Sequence, residues 1–207
     1  MAIGVNGRSA DDAGPGERAR QRLFDAAVEA FAEKGFHGTT TRDIATAAQM
    51  SPAALYVHHR SKEDLLHQVS LAGHLEVLAL CRHAIAAHDA PTDQLQKFVV
   101  DFARHHARNH TMARIVNYEL NSLNAEHRVE IMELRAEMDG LMRDLVQRGA
   151  DSGVFDVVSP AMTSAALLSL GIDVARWYDE RGGWTPDQVA EHYRVLALRM
   201  VGAEPRP

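Results

Sequence analysis

Residues 35–66 read GFHGTTTRDIATAAQMSPAALYVHHRSKEDLL, and this stretch decides the fold. It contains two short helix signals separated by a turn of three or four residues, the layout of a helix-turn-helix. Thr40 can cap the first helix, with Asp43 at the third position of a capping box. Ser51 can cap the second helix, because the proline that follows it is harmless at the first helical position. The pattern predicts helices over about 41–48 and 52–58.

The rest of the chain is also patterned as helices. Apolar residues recur at spacings of three and four, as in Leu23, Ala27 and Phe31, and no stretch alternates apolar and polar residues as a half-buried strand does. Further helices are predicted over about 17–34, from Ser61 onward, and over 91–108, 110–122, 125–149, 159–181 and 186–201. The expected fold class is therefore all-α, with about nine helices and no sheet.

Composition narrows the class of protein. The chain has 207 residues, of which 46% are hydrophobic and 24% charged, so it is expected to be globular rather than disordered. No apolar run is expected to be long enough to cross a bilayer, and the N-terminus lacks the apolar segment of a secretory signal. The one cysteine, Cys81, excludes an intramolecular disulfide, is expected to be a buried inert thiol, and suits a reducing cytoplasm.

Charge is distributed unevenly along the chain. The formal net charge is −6, so non-specific coating of nucleic acid is excluded and any DNA binding requires a local basic patch. Between Gly35 and Lys62 there are three Lys or Arg residues and one acidic residue, which gives this stretch a net charge of +2. Ala53 and Ala54 are short enough to let a helix enter the major groove, and Arg42 is the best candidate for a bidentate guanine contact. The residues predicted to contact DNA are Thr40, Thr41, Arg42, Ser51, Ala53, Ala54, Tyr56, His58 and Lys62.

This stretch resembles the DNA-binding region of the TetR family of transcriptional repressors over about 45 residues. The elements T-T-x-R-D-I-A and L-Y-x-H-x-x-S-K-E-x-L carry the resemblance. The resemblance implies base and phosphate contacts for Thr41 and Arg42, base-facing positions for Ala53 and Ala54, and backbone contacts for Tyr56, His58 and Lys62. It also implies a homodimer that binds double-stranded operator DNA and responds to a small-molecule effector. The expected organisation is a disordered tail at 1–16, a helix-turn-helix domain at 17–66, and a ligand-binding and dimerisation domain at 67–207.

Three residues depart from the family pattern. Gln49 replaces the usual turn glycine, which costs about 1 kcal/mol if the backbone there is left-handed. Met50 occupies a position where a smaller residue is common. His59 replaces phenylalanine; it is expected to lie half exposed against the head, with a pH-dependent phosphate contact as the alternative.

The C-terminal region is expected to provide both a dimer interface and an effector cavity. The resemblance places the last two helices in a four-helix dimer bundle. Both helices carry an apolar stripe that would have to be buried against other helices, and Gly171 would permit close approach of a partner helix. The stripe residues are Ala165, Leu168 and Ile172 on one helix, and Val189, Leu196 and Met200 on the other.

Flexible and aromatic side chains are the candidates for the cavity wall. Methionine fills irregular space and adapts to varied apolar ligands, although for any single one of these residues a place in the core is the preferred interpretation. The predicted lining residues are Phe98, Phe102, Met112, Val116, Met138, Arg176 and Trp177. The segment around Arg176 and Trp177 is similar to TetR-type regulators of lipid and steroid catabolism that sense acyl-CoA thioesters. This resemblance implies an acyl-CoA effector with Arg176 near its oxygens; the alternative is an ion pair between Arg176 and Glu119 or another acid at the dimer interface.

His105, His106 and His110 form a cluster that could bind a metal ion, but solvated or ligand-lining histidines are the preferred interpretation. No metal site and no cofactor are predicted. The chain lacks a nucleophile elbow, a phosphate-binding P-loop and a dinucleotide fingerprint, so an enzyme is not expected. The predicted function is a ligand-responsive DNA-binding transcriptional regulator, most simply a repressor. The alternative is a helical interaction or ligand-carrier protein that does not bind DNA.

Overall fold

The structure, a computed structural model, describes residues 14–203, and within that range the chain forms nine α-helices and no strand. This confirms the all-α fold class. The predicted tail at 1–16 lies outside the described residues up to position 13, while Pro15 and Gly16 already belong to the first helix. The helices are α1 (Pro15–Gly38), α2 (Thr41–Ala47), α3 (Pro52–His58), α4 (Lys62–Ala86), α5 (Pro91–Arg108), α6 (His110–Tyr118), α7 (Ala125–Asp151), α8 (Pro160–Trp177) and α9 (Pro186–Met200).

The helix starts are where local capping chemistry predicts them. Thr40 caps α2 in a capping box with Asp43, and Thr185 caps α9 in the same way with Gln188. Ser51 accepts a hydrogen bond from the backbone N–H of Ala54 at 3.1 Å at the start of α3. These bonds satisfy backbone N–H groups that have no partner inside the helix.

Three helix ends differ from the sequence prediction. The helix α1 runs to Gly38 rather than ending at about 34, with a kink at Gly35, where φ is 69°. The helix α6 ends at Tyr118 rather than 122, and a short 3₁₀ turn follows at Leu120–Ser122. The helix α8 ends at Trp177 rather than 181, because Tyr178 is extended and the chain then turns, with the N–H of Gly182 bonded to the carbonyl of Asp179. The glycines of this segment favour a turn over a continued helix.

The chain divides between Val69 and Ser70 into two compact units. In the first unit, α1, α2, α3 and the start of α4 enclose a small core that includes Leu23, Phe31, Ile44 and Leu55. The sequence prediction placed the boundary between 66 and 67. Since α4 runs from Lys62 to Ala86, one helix contributes to both units.

The second unit is a helical bundle in which α9 packs on α5, and α8 packs on α5 and α7. Its core includes Leu95, Phe98, Met142 and Leu145. A Cβ atom at Gly171 would lie 2.4 Å from Cδ1 of Phe102, so this glycine lets the α5 ring approach the α8 backbone. The close approach predicted for Gly171 is therefore made within the chain.

The helix α4 corrects the expectation that no segment could span a bilayer. By length and composition alone it meets the requirement for a membrane-crossing helix. Its apolar residues, however, form part of the protein core, among them Leu65, Leu78, Cys81 and Ala84. A core helix of this length passes the same test, so the finding does not indicate a membrane protein.

Candidate DNA-binding surface and effector cavity

The turn between α2 and α3 depends on a left-handed residue. Gln49 has φ 57°, which confirms the conformation predicted for it. The N–H of Met50 donates to the carbonyl of Ala45 at 2.8 Å, and the N–H of Gln49 donates to that of Thr46 at 3.0 Å. This is the Schellman pattern, which ends a helix and reverses the chain.

Replacing Gln49 by glycine is expected to raise the free energy of unfolding by about 0.5–1 kcal/mol. Glycine removes the Cβ strain of a left-handed residue but loses more backbone entropy on folding, so the net gain is small. Denaturant unfolding measures it. The matched control is Ala47→Gly, which makes the same kind of change in a helical position and should destabilise the protein; equal effects of the two variants would contradict the strain argument.

The predicted DNA-contacting residues lie on α2, on α3 and at their starts. Arg42, Ala53 and Tyr56 are exposed, and Thr41, Ala54 and His58 are half-buried. The hydroxyls of Thr41 and Tyr56 are 3.4 Å apart, so α2 and α3 present donors at one common surface. Thr40 and Ser51 are exposed, and their side-chain oxygens cap helices. Contact of these residues with DNA stays a prediction.

Lys62 has a structural partner that the sequence analysis missed. Its Nζ donates to the carbonyl of Phe36 at 2.6 Å and to that of Thr39 at 2.7 Å, and it lies 4.1 Å from the centre of the Phe36 ring. The ammonium therefore ties the start of α4 to the end of α1, with one of its three N–H donors left for a phosphate. Lys62 stabilises the head whether or not it also contacts DNA.

His59 is packed inside the first unit. Its side chain is 1% exposed, and its Nδ1 lies 3.5 Å from a carboxylate oxygen of Asp64. Burial lowers the pKa of His59, and the nearby Asp64 opposes that shift. Both ring nitrogens are enclosed without a hydrogen-bond partner among the described residues. His59 packs against the head as expected, but it is enclosed rather than half exposed, and a side chain so enclosed does not reach a phosphate.

The second unit contains a cavity of about 260 Å³ between α4, α5, α6, α7 and α8. Four of the predicted lining residues, Phe102, Met112, Val116 and Met138, lie in its wall. Most of the remaining wall is polar or small. It consists of Gly73, His74, Val77, His105, His106, Asn109, Ala113, Asn117, Arg135, Asp139, Ala165, Leu168, Ser169 and Ile172.

Three predicted ligand residues lie outside this cavity. Phe98 is fully buried in the core, one helical turn from Phe102 on α5. Arg176 is exposed, and its guanidinium binds Asp173 of the same helix at 2.6 and 2.8 Å, so it forms an ion pair within α8 rather than lining the cavity. The Trp177 ring stacks on Tyr193 of α9, with ring centres 6.5 Å apart.

The histidine cluster separates into two environments. His105 and His106 line the cavity, while His110 lies against the ring of Tyr178, outside it. Between residues 14 and 203 no group of three or more potential ligands could hold a metal ion. The sequence analysis missed His74, which lies on α4, remote in sequence from the cluster, and also lines the cavity.

The predicted dimer stripes are covered within the chain only in part. Leu168 on α8 and Val189 on α9 are each 5% exposed, whereas Ile172, Leu196 and Met200 are half-buried and Ala165 is exposed. Ala165 belongs to an exposed and mostly apolar outer face of α8. Its residues are Ala161, Met162, Ala165, Ala166, Ser169 and Leu170.

Comparison with known proteins identifies both units. Residues 23–69 match the family described as bacterial regulatory proteins, tetR family, and residues 88–201 match the tetracyclin repressor-like C-terminal domain. The transcriptional repressor KstR2 of Rhodococcus jostii is 30% identical over 192 residues, covering 91% of this chain and 94% of that protein. KstR2 of Mycobacterium tuberculosis is also 30% identical, over 86% of this chain and 90% of that protein.

A solved structure of a tetR-family protein is also similar to this chain. A regulatory protein of the tetR family from Rhodococcus RHA1 has a TM-score of 0.85 at 40% identity, covering 90% of this chain and 98% of that one. These relatives are transcriptional regulators, not enzymes. The chain therefore belongs to the TetR family of DNA-binding transcriptional regulators.

Proposed function

We propose that this chain is a homodimeric repressor whose affinity for operator DNA falls when a small, largely apolar effector fills the cavity. The observation that carries the proposal is the course of α4. This helix begins at Lys62 in the head, and its residues Gly73, His74 and Val77 form part of the cavity wall. The relatives that are named transcriptional repressors support repression as the function.

A two-fold dimer would present two copies of α3 to DNA. Recognition helices about 34 Å apart match successive major grooves and a palindromic operator. The exposed outer face of α8 supports dimerisation, because small apolar side chains allow two helices to pack closely. Since α9 has no fully exposed residue in its stripe whereas Ala165 of α8 is exposed, α8 contributes more to this interface than α9 does.

An effector changes DNA affinity only by the difference between its affinities for the two forms of the repressor. A ligand between α4 and its neighbours favours one position of α4. Because α4 is continuous from the cavity wall to Lys62, we infer that this position alters the spacing of the two heads. The expected coupling is roughly 1–3 kcal/mol, or about 5- to 150-fold in operator affinity.

The cavity volume limits the effector. At about 260 Å³ it exceeds the roughly 150 Å³ that holds benzene and is smaller than the roughly 300–1,000 Å³ typical of drug-sized ligands. An acyl group fits this range, but the nucleotide of coenzyme A does not. An acyl-CoA effector, which the C-terminal resemblance implies, would therefore insert its acyl part and leave the nucleotide outside.

Operator binding tests the proposal directly. Labelled fragments of the region upstream of the gene should show a protected site and a fluorescence anisotropy change with the purified dimer. Addition of acyl-CoAs of increasing chain length should release the DNA at one range of acyl size. If no genomic fragment is protected by an intact dimer, the proposal is wrong and the ligand-carrier alternative stands.

Replacing Arg42 by alanine is expected to weaken operator binding by about 1–3 kcal/mol and to relax the preference at one base pair, because the bidentate guanine contact is lost. Binding to a set of operators with single base changes measures both effects. The matched control is Arg42→Lys, which keeps the charge but not the paired donors, and should restore affinity more than specificity. Unchanged affinity and unchanged base preference in Arg42→Ala would contradict the assignment.

A further inference from the structure

Two cavity histidines on different helices are held in the same way. His74 on α4 and His106 on α5 are each 4% exposed, and both line the cavity. The Nδ1 atom of His74 lies 2.8 Å from the carbonyl oxygen of Ser70, and that of His106 lies 2.8 Å from the carbonyl oxygen of Phe102. A carbonyl only accepts hydrogen bonds, so Nδ1 carries the hydrogen in both rings. In a neutral imidazole the other nitrogen, Nε2, is then an acceptor.

Both rings are neutral at physiological pH. Burial lowers the pKa of His74 to about 4 and that of His106 to about 4, and the carbonyl hydrogen bonds offset this only in part. Arg135 lies near enough to His74 to lower its pKa further. In the part of the chain that is described, however, neither Nε2 receives a hydrogen bond from Arg135 or from any other residue.

These nitrogens differ from those of His59. Both nitrogens of His59 are sealed inside the first unit, whereas no nitrogen of His74 or His106 is sealed without a partner. Because both residues line the cavity, the accessible surface that remains on their rings opens into it. The cavity therefore presents two hydrogen-bond acceptors, one from α4 and one from α5, in a wall that combines apolar side chains with other polar ones such as Asn109 and Asn117.

We propose that the effector is an apolar molecule that carries a hydroxyl group, or a comparable O–H or N–H donor, bound by Nε2 of His74 and His106. This inference rests on the proposed function and specifies its ligand. A purely hydrocarbon ligand would displace water from both acceptors and leave them unpaired, and a site built for a hydroxyl rejects such an analogue strongly. An ether would bind still less well, because its oxygen lone pairs would repel the lone pair on Nε2. For an acyl-CoA effector, the donor would be on the acyl part.

Three probes of equal size test this. Cyclohexylmethanol, methoxycyclohexane and ethylcyclohexane have the same number of non-hydrogen atoms and differ in having a donor, an acceptor without a donor, and neither. Their binding to the full-length protein is measured by calorimetry and by the shift in melting temperature. The alcohol is expected to bind about tenfold or more tightly than either of the others.

Two variants of His106 locate the effect. His106→Phe removes the acceptor and keeps an aromatic ring beside Phe102, whose ring centre is 4.3 Å from that of His106. It should reduce the preference for the alcohol several-fold, and addition of His74→Phe should abolish it. His106→Gln, which can present an acceptor oxygen at the same place, should retain the preference. If the phenylalanine variants do not fold, the wild-type series and His106→Gln still decide the question.

The outcomes separate this inference from the proposed function. If all three probes bind wild-type protein equally, the cavity accepts apolar ligands but does not select a donor, and the inference alone is overturned. A preference that survives in the double phenylalanine variant overturns it as well. If none of the probes binds and acyl-CoAs do not release operator DNA, the proposed effector site fails together with the inference.

Discussion

Replacing Lys62 by methionine is expected to lower the free energy of unfolding by about 2–3 kcal/mol and to weaken operator binding as well. Methionine keeps the apolar stem but leaves the carbonyls of Phe36 and Thr39 without their charged donor, and hydrogen bonds to charged groups contribute about 1.5–3 kcal/mol each. The lower end applies because Lys62 is only half-buried. Denaturant unfolding measures the stability, and operator binding at several salt concentrations measures the phosphate contribution.

Arg60→Met is the matched control for Lys62→Met. Arg60 is exposed, two residues away, and carries the same charge, so its loss should change the salt dependence of DNA binding with little change in stability. A Lys62→Met protein that unfolds at the wild-type denaturant concentration, while its salt slope falls by about one, would show that Lys62 is a phosphate contact and not a structural tie.

Replacing Phe98 by alanine is expected to destabilise the second unit by about 3–5 kcal/mol, the usual range for removing a fully buried phenylalanine. The loss combines the transfer of a ring out of the core with the void left behind. Since Phe98 lies outside the cavity wall, effector affinity of the fraction that remains folded should not change. Thermal and denaturant unfolding measure the first effect, and effector titration below the transition measures the second.

The milder variant Phe98→Leu keeps most of the volume and should fold even if the alanine variant does not. It should lose about 1 kcal/mol or somewhat more. If Phe98→Leu instead kept the stability of the wild type and changed the effector selectivity, Phe98 would be a ligand-binding residue.

Features that depend on neighbours three or four positions away could be read from the sequence. The capping boxes of Thr40 and Thr185 and the left-handed Gln49 are of this kind, because the side chain or backbone that acts and the group it satisfies lie in one helical turn. The pair of Arg176 and Asp173 belongs here too. Their spacing of three residues on one helix is enough to predict the contact.

Features that depend on how helices pack could not be read in this way. Lys62 bonds to a carbonyl 26 positions earlier, and no local pattern indicates it. Phe98 and Phe102 occupy the same face of α5, one turn apart, yet only Phe102 borders the cavity. The packing of α4, α6 and α8 determines which turn of α5 borders the cavity. His74 was overlooked for the same reason, since one of three separate histidines on α4 carries no signal until α5 brings His106 beside it.

Cys81 gives the molecule a practical property. Its thiol is fully enclosed, and burial raises its pKa to about 12, so almost none of it is thiolate at neutral pH. Thiol-directed reagents should therefore not react with Cys81, so the natural chain needs no cysteine removal before a site-specific label is introduced. A cysteine introduced at Val57 on α3, which is 78% exposed, would be the sole reactive position. Two spin labels or dyes in a dimer would then report the distance between the two recognition helices, which can be measured with and without an added ligand.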